Sequence, residues 1–375
     1  MKKLAAILLT LAMLCSMTCV FAEGADSGMN VLILVPSLGD GSYFAAAAAG
    51  VKALEEKYPG TTTEAIAMGS IPMEKASAEY ELETYKPFFT DACESGKYDL
   101  IVTCGAECNA ALVDAATNYP EQLFFSVDMQ DVPQALQENP LSNVYGLRYK
   151  NKDLGYLAGY VACQVTTSSM PKANPDKKVG VIVGVNFPGL NEYIGSFCQV
   201  CRDNGVTVYI DYAGDFLPDL APEVAKQAMS MYDAGVDVIW QVAGGAGAGV
   251  FTAAKEAGRY AFGVDCDQSK TIADPEEAAT IVTSFFADYP AAIDAAFSAL
   301  LAGEFPGGAY PLVGLAEGFI GYADNEQFAA MTNQDIIDAI ASLYTTMASG
   351  EVEVFSVIDD PDGWETLKQE VAPAE

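Results

Sequence analysis

The feature that most constrains this fold is a double alternation of short apolar runs with longer segments of helical period. The first series spans residues 30–128 and the second spans residues 178–265. Short apolar runs bounded by turn residues indicate buried strands, and the longer periodic segments between them indicate helices. This alternation predicts parallel sheets with helices on both faces. We therefore expect an α/β protein with two Rossmann-like lobes, which the less regular residues after 275 return to complete.

The elements that this pattern predicts have definite bounds. Strands are predicted at Asn30–Val35, Glu64–Met68, Asp99–Cys104, Leu123–Asp128, Asn143–Arg148, Lys178–Gly184, Thr207–Tyr212, Val236–Val242, Ala261–Asp265 and Thr280–Phe285. Helices are predicted at Tyr43–Lys57, Ala76–Ser95, Cys108–Asn118, Asp153–Val165, Asn191–Asn204, Asp219–Ala234, Gly249–Gly258, Tyr289–Ala302 and Gln334–Ala348. No internal repeat interrupts the pattern, so a solenoid is excluded.

Charge and residue usage exclude several classes of function. The chain has 19 Lys+Arg against 51 Asp+Glu, a formal charge of −32. Such a surface repels a phosphate backbone, so no nucleic-acid partner is expected. The sequence contains no histidine, which removes the Ser-His-Asp triad, the Cys-His pair and His-ligated zinc. We predict no catalytic residues, no metal and no cofactor.

The first 22 residues have the pattern of a secretory signal peptide. Lys2 and Lys3 precede an apolar run from Leu4 to Cys15, and small or branched residues end the segment at Ala22. The run is too short for a membrane-spanning helix. We expect export to a periplasmic or extracellular location, with cleavage after Ala22. Lipidation of Cys19, which would anchor the chain to a membrane, is the alternative.

Seven of the nine cysteines lie beyond this segment. Because seven is odd, at least one cysteine has no partner within the mature chain. Cys198 and Cys201 have the CxxC spacing of redox and zinc sites. No second CxxC accompanies them, so burial as ordinary core residues is favoured over an exported disulfide or metal chemistry.

Ligands of open α/β sheets bind outside the carboxyl ends of the strands. Carboxylates there accept hydrogen bonds from a ligand, and aromatic rings cover a flat face. The residues at these ends are Asp40, Ser42, Tyr43, Phe44, Asp128, Gly244, Gly245 and Asp265. Each has a simpler alternative. Asp40 and Ser42 could cap the next helix, Asp128 could stabilise a turn, and the aromatic residues could belong to the core.

The glycine cluster after the strand Val236–Val242 partly matches the dinucleotide-binding fingerprint. A strand precedes the cluster, a helix follows it, and an acid, Asp265, lies downstream. The third glycine of the motif should fall at position 250, which is Val250. A phosphate site also favours Lys or Arg nearby. A nucleotide-phosphate site is therefore not favoured.

The stretch from Val236 to Gln268 resembles the BMP family (basic membrane protein, PnrA-like), substrate-binding lipoproteins of ABC transporters. Its segments Ala-Gly-Gly-Ala-Gly-Ala-Gly-Val and Gly-Val-Asp-Cys-Asp-Gln carry the resemblance. Further segments that look like family signatures are Asp40-Gly-Ser-Tyr43 with Gly50, Phe-Phe-Ser-Val-Asp128 and Leu157-Ala-Gly-Tyr. The resemblance covers nearly the whole mature chain.

This resemblance implies a type I periplasmic-binding-protein fold, in which two lobes joined by a three-strand hinge close on a small solute. The family members with known ligands that this chain resembles are receptors for purine nucleosides. Carried over, Tyr43 and Tyr193 supply aromatic rings, Asp40 and Asp128 face the base, Gly245 gives a backbone contact and Asp265 holds the ribose hydroxyls. The predicted ligand-binding residues are thus Asp40, Ser42, Tyr43, Phe44, Asp128, Tyr193, Gly244, Gly245 and Asp265.

Two positions depart from the family pattern. Phe44 stands where the family has an asparagine, and Ala287 stands where it has a lysine that reaches the ligand. Loss of that ammonium leaves the acids without a cation and favours a neutral or cationic ligand.

The resemblance also predicts how the chain is divided between the two lobes. The first lobe should comprise residues 29–148 and 275–305, and the second residues 149–274 and 306–375. The expected function is that of a monomeric substrate-binding protein that delivers a small solute, such as a purine nucleoside, to an ABC permease. A sensor that signals through a membrane receptor and a secreted nucleoside or glycoside hydrolase remain alternatives.

Overall fold

The computed structural model describes residues 28–373. The predicted signal peptide and Cys19 lie outside these residues. The first sheet contains five parallel strands in the order β2-β1-β3-β4-β5. Its strands are β1 (Asn30–Val35), β2 (Thr62–Ala67), β3 (Leu100–Thr103), β4 (Leu123–Ser126) and β5 (Val144–Gly146).

Two short strands form a separate parallel pair between the lobes. They are β6 (Arg148–Tyr149) and β12 (Leu312–Val313). The second sheet has six strands in the order β13-β11-β10-β9-β7-β8, and only the β11–β13 pair is antiparallel. Its strands are β7 (Lys178–Val183), β8 (Thr207–Tyr212), β9 (Val238–Val242), β10 (Tyr260–Val264), β11 (Ile281–Ala287) and β13 (Ile320–Tyr322).

Helices cover both faces of the two sheets. In chain order they are α1 (Tyr43–Lys57), α2 (Ala78–Ser95), α3 (Asn109–Asn118), α4 (Gln134–Glu138), α5 (Asn151–Thr167), α6 (Pro188–Asp203), α7 (Ala221–Asp233), α8 (Ala248–Ala257), α9 (Gln268–Thr271), α10 (Pro275–Ala278), α11 (Tyr289–Leu301), α12 (Glu326–Met331), α13 (Gln334–Ala348) and α14 (Pro361–Val371). Within residues 28–373, none of them is long and apolar enough to cross a membrane.

The sequence of β1 shows why this sheet is buried on both faces. Val31, Ile33 and Val35 point to one hydrophobic cluster, and Leu32 and Leu34 point to another on the opposite face. Side chains of a strand alternate between faces, so a strand that is apolar at every position requires cover on both sides. The predicted α/β class with two parallel-sheet lobes is confirmed.

The structure divides the segment 275–305, which the sequence analysis assigned to the first lobe. Strand β11 pairs with β10 in the second sheet. Helix α11 instead packs on α1 of the first lobe, where Lys57 and Asp294 form an ion pair at 2.6 Å. A Cβ on Gly50 would lie 2.9 Å from the Cα of Pro290, so glycine permits this close approach. The chain therefore crosses between lobes after Ala287, not near 275.

The other crossings lie side by side. The chain first leaves the first lobe through β6. After α11, the chain runs along β5 of the first lobe, where the amide of Gly308 donates to the carbonyl of Val144 at 2.7 Å. It then pairs with β6 through β12 before it enters the second sheet. Three neighbouring crossings of this kind permit the two lobes to move about a common axis.

Candidate functional site

The carboxyl ends of the strands in the two sheets face each other across a cleft. The thiol of Cys266, which follows β10, lies 3.8 Å from the carbonyl oxygen of Gly41, which follows β1. Further along the cleft, the amide of Met73 donates to the Asp215 carboxylate at 3.2 Å. These two contacts join opposite lobes, so the cleft is closed in this structure.

Asp40 caps the first helix of the cleft. Its two carboxylate oxygens accept hydrogen bonds from the amides of Phe44 at 2.8 Å and Ala45 at 3.0 Å. This is the capping alternative of the sequence analysis, and it satisfies two of the amide donors that begin α1. Ser42 makes no such capping bond. Its hydroxyl is buried and makes no hydrogen bond of good geometry with residues 28–373, but it lies close enough to the carboxylate of Asp265 to lower the pKa of that group.

Asp128 lies at the base of the cleft beneath two tyrosines. The hydroxyls of Tyr43 and Tyr289 both donate to its Oδ2 at 3.0 Å. Its Oδ1 is buried and accepts no hydrogen bond of good geometry from residues 28–373, although the backbone amide of Gln130, two residues further on, is close enough to this carboxylate to lower its pKa. Burial raises the pKa of this carboxyl to about 6, although the two hydroxyls oppose that change. The site thus holds an acceptor that a ligand donor can satisfy.

Tyr289 is a site residue that the sequence analysis missed. Its ring packs edge-on against the rings of Tyr43 and Tyr149, with centroids 5.6 Å and 5.5 Å apart. It begins α11, directly after β11 and the crossing residue Asp288. The rule that placed Asp40 and Asp128 at strand ends would also have selected Tyr289.

Glu107 is a second residue that was not predicted from the sequence. It follows β3, and burial raises the pKa of its carboxyl to about 7, to which the negative charges of Glu81 and Asp128 contribute. It therefore adds to the acidic character of the first-lobe side of the cleft.

Tyr193 supplies the wall of the second lobe. Its hydroxyl donates to Oδ1 of Asn151 at 2.8 Å, and Nε2 of Gln130 donates to the same oxygen at 3.0 Å. Its ring packs edge-on against the buried ring of Trp240 at 6.1 Å. Asn151 begins α5, immediately after the first crossing. One amide oxygen therefore connects residues of both lobes at the back of the cleft.

Asp265 has an unusual backbone. Its φ of +66° lies in the left-handed region, which Lys177 alone shares among the described non-glycine residues. Such a conformation costs on the order of 1–3 kcal/mol and is found preferentially at functional sites. Burial raises the pKa of its carboxyl to about 7, and the negative charges of Asp40 and Asp128 add to that change. The three acids from the two lobes thus influence one another across the cleft.

The two predicted glycines contact the protein itself. Gly244 has a φ of +54°, and a Cβ there would lie 3.2 Å from Cβ of Phe216. A Cβ on Gly245 would lie 2.6 Å from Cγ of Pro218. Both glycines therefore permit close packing of the loop at 216–218, whatever else they contact.

The positions that depart from the family pattern are occupied by apolar groups. The ring of Phe44 packs edge-on against Tyr43 with centroids 4.9 Å apart. Ala287 is buried at the end of β11. No lysine or arginine is among the groups that shift the pKa values of Asp128 and Asp265.

The cysteines show no chemistry of their own. All seven described cysteines are free, and Cys198 and Cys201 are fully buried. Cys163 and Cys201 lie close, with their sulfur atoms 3.7 Å apart. Across residues 28–373, no group of His, Cys, Asp and Glu side chains is arranged to hold a metal ion.

The family follows from comparison with known proteins. The family model described as ABC transporter substrate-binding protein PnrA-like (Bmp) matches residues 29–353. The chain belongs to this family. The BMP resemblance of the sequence analysis is confirmed. For a PnrA-like protein, the family implies a small-molecule ligand and an ABC permease as partner, and an extracytoplasmic location fits it. Family and fold are those of substrate-binding proteins rather than enzymes.

Two curated relatives are similar over most of their length. A "CD4+ T-cell-stimulating antigen" of Listeria innocua is 28% identical over 72% of this chain and 73% of its own. An "ABC transporter nucleoside-binding protein BmpA" of Lactococcus lactis is 26% identical over 70% of this chain and 73% of its own. Among solved structures, a solute-binding protein of an Aeropyrum pernix ABC transporter system superposes with a TM-score of 0.70 at 23% identity. It covers 92% of this chain and 98% of its own. This last likeness confirms the solute-binding-protein fold.

Proposed function

We propose that this PnrA-like protein binds a neutral, ring-bearing solute of the purine nucleoside class between its lobes and presents it to an ABC permease. The observation that carries the proposal is the buried Oδ1 of Asp128, an acceptor that no donor within residues 28–373 meets in good hydrogen-bond geometry. A buried acceptor that remains unpaired costs free energy, so a ligand that supplies an N–H or O–H donor gains affinity there.

The character of the cleft favours a neutral ligand with several donors. The negative charges of Asp40 and Asp128 raise the pKa of Asp265, and no lysine or arginine is among the groups that shift the pKa of Asp128 or Asp265, so an anionic solute would be repelled. A purine nucleoside carries N–H donors on its base and hydroxyl donors on its ribose, and it is uncharged. We assign Asp128 and Asp40 to the base and Asp265 to the ribose. The name of the Lactococcus lactis relative supports this class of ligand.

The aromatic residues fit a flat base. Tyr43 is held by its hydroxyl to Asp128, and Tyr193 is held by its hydroxyl to Asn151. Rings fixed in this way lose little conformational entropy when they cover a ligand. We assign these two rings to opposite faces of the base, with Phe44, Ser42, Gly244 and Gly245 completing the pocket.

The test is a thermal-shift screen of the purified chain from Glu23, followed by calorimetric titration of the compounds that stabilise it. The screen compares purine and pyrimidine nucleosides, free bases, pentoses and amino acids. At about one hundred times the dissociation constant, binding adds roughly 2.7 kcal/mol to the free energy of unfolding. Stabilisation by purine nucleosides alone supports the proposal. A response confined to another class of compound would be consistent with a substrate-binding protein and would refute the assignment of a nucleoside as its ligand.

We further propose that the chain acts as an exported monomer cleaved after Ala22. Mass spectrometry of the mature protein from its natural membrane and medium fractions tests this point. Detection of a lipid-modified peptide that begins at Cys19 would show that the protein is anchored to the membrane and not secreted freely. Sedimentation analysis tests whether the protein is a monomer.

A further inference from the structure

A surface cavity that is open to solvent lies at the hinge. It has a volume of about 450 Å³ and is lined by Gln130, Asp131, Val132, Gln137, Arg148 and Tyr310. None of the residues assigned to the solute cleft lines it. The lining comes from the loop after β4, from α4, from β6 and from the segment before β12.

Arg148 is the one basic residue of this lining. The chain has three arginines, and two of them pair with carboxylates: Arg202 with Asp203 and Glu370, and Arg259 with Asp237. Arg148 donates its Nε to the carbonyl of Tyr310 at 3.1 Å. No carboxylate among residues 28–373 lies within ion-pairing distance of it. In a chain with so many acids, an arginine without an acidic partner beside a cavity is well suited to bind an incoming carboxylate.

The same lining also contains groups that suit a cation. Nε2 of Gln137 donates to the carbonyl of Val132 at 2.7 Å, and Nε2 of Gln130 donates to Asn151. These bonds use the amide nitrogens, so each glutamine presents its carbonyl oxygen as an available acceptor. The carboxylate of Asp131 adds a negative charge that does not pair with Arg148. An ammonium group is the ligand function that suits a carboxylate and two amide oxygens.

We propose that this hinge cavity binds a free α-amino acid or a similar small zwitterion. The ligand carboxylate pairs with the guanidinium of Arg148, and the ligand ammonium lies among Asp131 and the side-chain oxygens of Gln130 and Gln137. A simple anion would be repelled by Asp131, and a simple amine would be repelled by Arg148. The requirement for both charges on one small molecule defines the ligand class.

The cavity is connected to the solute cleft through Gln130, and the negative charge of Asp131 also contributes to the raised pKa of Asp128. Gln130 lines the cavity, and it shares the Oδ1 of Asn151 with the hydroxyl of Tyr193. A ligand that contacts Gln130 is therefore two hydrogen bonds from the ring assigned to the solute. Occupancy of the hinge cavity should consequently alter the affinity of the cleft, and reciprocally, because coupling between two sites is mutual.

The three arginines permit a direct test by nuclear magnetic resonance. Protein labelled with ¹⁵N-arginine gives three Nε signals, and the Arg148 signal is the one absent from the Arg148→Gln variant. The folded protein is titrated with L-alanine, L-glutamine and L-leucine, and with propionate and propylamine as analogues that carry one charge. We expect at least one amino acid to shift the Arg148 signal saturably while the signals of Arg202 and Arg259 remain fixed. The analogues should bind at least tenfold more weakly.

Variants then separate the hinge site from the cleft. Arg148→Gln should abolish amino-acid binding measured by calorimetry, and Asp131→Asn should weaken it at least tenfold. Arg202→Gln, at an exposed arginine on α6, is the matched control and should change nothing. If no amino acid shifts the Arg148 signal, or if propionate binds as well as an amino acid, the zwitterion site is refuted. Amino-acid binding that persists in Arg148→Gln would show that the amino acid binds outside the hinge cavity, and it would refute the hinge site. Purine nucleosides are titrated into the same samples, so failure of the cleft proposal is recorded separately.

Discussion

Tyr289 donates its hydroxyl to Oδ2 of Asp128 at 3.0 Å, although 161 positions separate the two residues. The bond connects the residue that follows the second crossing with the end of β4 in the first sheet. Because the same carboxylate oxygen accepts from Tyr43, three residues from distant parts of the chain are fixed by one oxygen atom. The crossing therefore contributes to the floor of the cleft as well as to the connection between lobes.

Replacement of Tyr289 by phenylalanine removes one of the two donors to Asp128. A hydrogen bond to a charged acceptor contributes about 1.5–3 kcal/mol, so we expect a loss of stability in that range by urea unfolding at pH 7.5. The pKa of Asp128 should rise further, because the lost bond favours the charged form. Tyr80→Phe, at an exposed tyrosine on α2, is the control. Equal effects of the two substitutions would show that the Tyr289 hydroxyl contributes nothing.

Gly155→Ala should damage both packing and the position of Tyr193. A Cβ on Gly155 would lie 2.0 Å from the carbonyl oxygen of Tyr193, so α5 and α6 must separate to accept it. Overpacking of this kind costs about 1–3 kcal/mol. Gly321→Ala is the control, because its nearest neighbour would be the Tyr344 hydroxyl at 3.5 Å. Urea unfolding measures the cost, and a tolerated Gly155→Ala would contradict the close approach of the two helices.

Asp237→Ala should lower the free energy of unfolding more than a substitution at an exposed charge does. The carboxylate is fully buried and accepts hydrogen bonds from Thr166, Asn174 and Arg259. Removal of one partner from a buried ion pair costs about 3–5 kcal/mol, and we expect the lower end of that range because the side chain of Arg259 is 26% exposed. Asp203→Ala, which breaks an exposed pair with Arg202, should cost less than about 1 kcal/mol. Comparable costs for the two variants, measured by thermal unfolding, would refute the importance of the buried network.

The sequence predicted most of the architecture because its strands are apolar at nearly every position. β1 and β7 coincide with the predicted strands to within one residue, and α1 matches its predicted bounds. The strand-end rule selected Asp40, Asp128 and Asp265 as site candidates, and in the structure the charges of Asp40 and Asp128 raise the pKa of Asp265. Such predictions succeed where local composition and the geometry of a parallel sheet point to the same answer.

The remaining features depend on contacts between distant residues. The second crossing has one residue, Asp288, between β11 and α11, so no linker composition marks the change of lobe. Helix α14 was not predicted, because its apolar residues are few; Trp364, Leu367 and Val371 are nevertheless buried. The capping role of Asp40 could be proposed but not decided, since a helix cap and a ligand contact use the same residue type at the same position.

The acids of the cleft should make stability depend on pH in the direction opposite to an ordinary salt bridge. The pKa of Asp265 rises from 3.8 to about 7 in the folded protein, so the folded state binds more protons than the unfolded state between these values. The derivative of the unfolding free energy with pH is then negative, and stability that is present below pH 4 is lost as the pH rises toward 7. Each unit of the shift corresponds to about 1.4 kcal/mol.

Asp265→Asn removes this ionisation while retaining a residue that tolerates the left-handed backbone. Urea unfolding at pH 5, 6, 7 and 8 should therefore show a variant that gains stability relative to the natural protein as the pH rises, because only the natural protein must ionise a buried carboxyl. Asp99→Asn, at a first-lobe carboxylate that accepts from the amide of Asn30 at 2.7 Å, is the control and should not reproduce that trend. If the difference between Asp265→Asn and the natural protein is constant from pH 5 to pH 8, the carboxyl of Asp265 does not titrate in this range, and the mutual influence of the three acids is refuted.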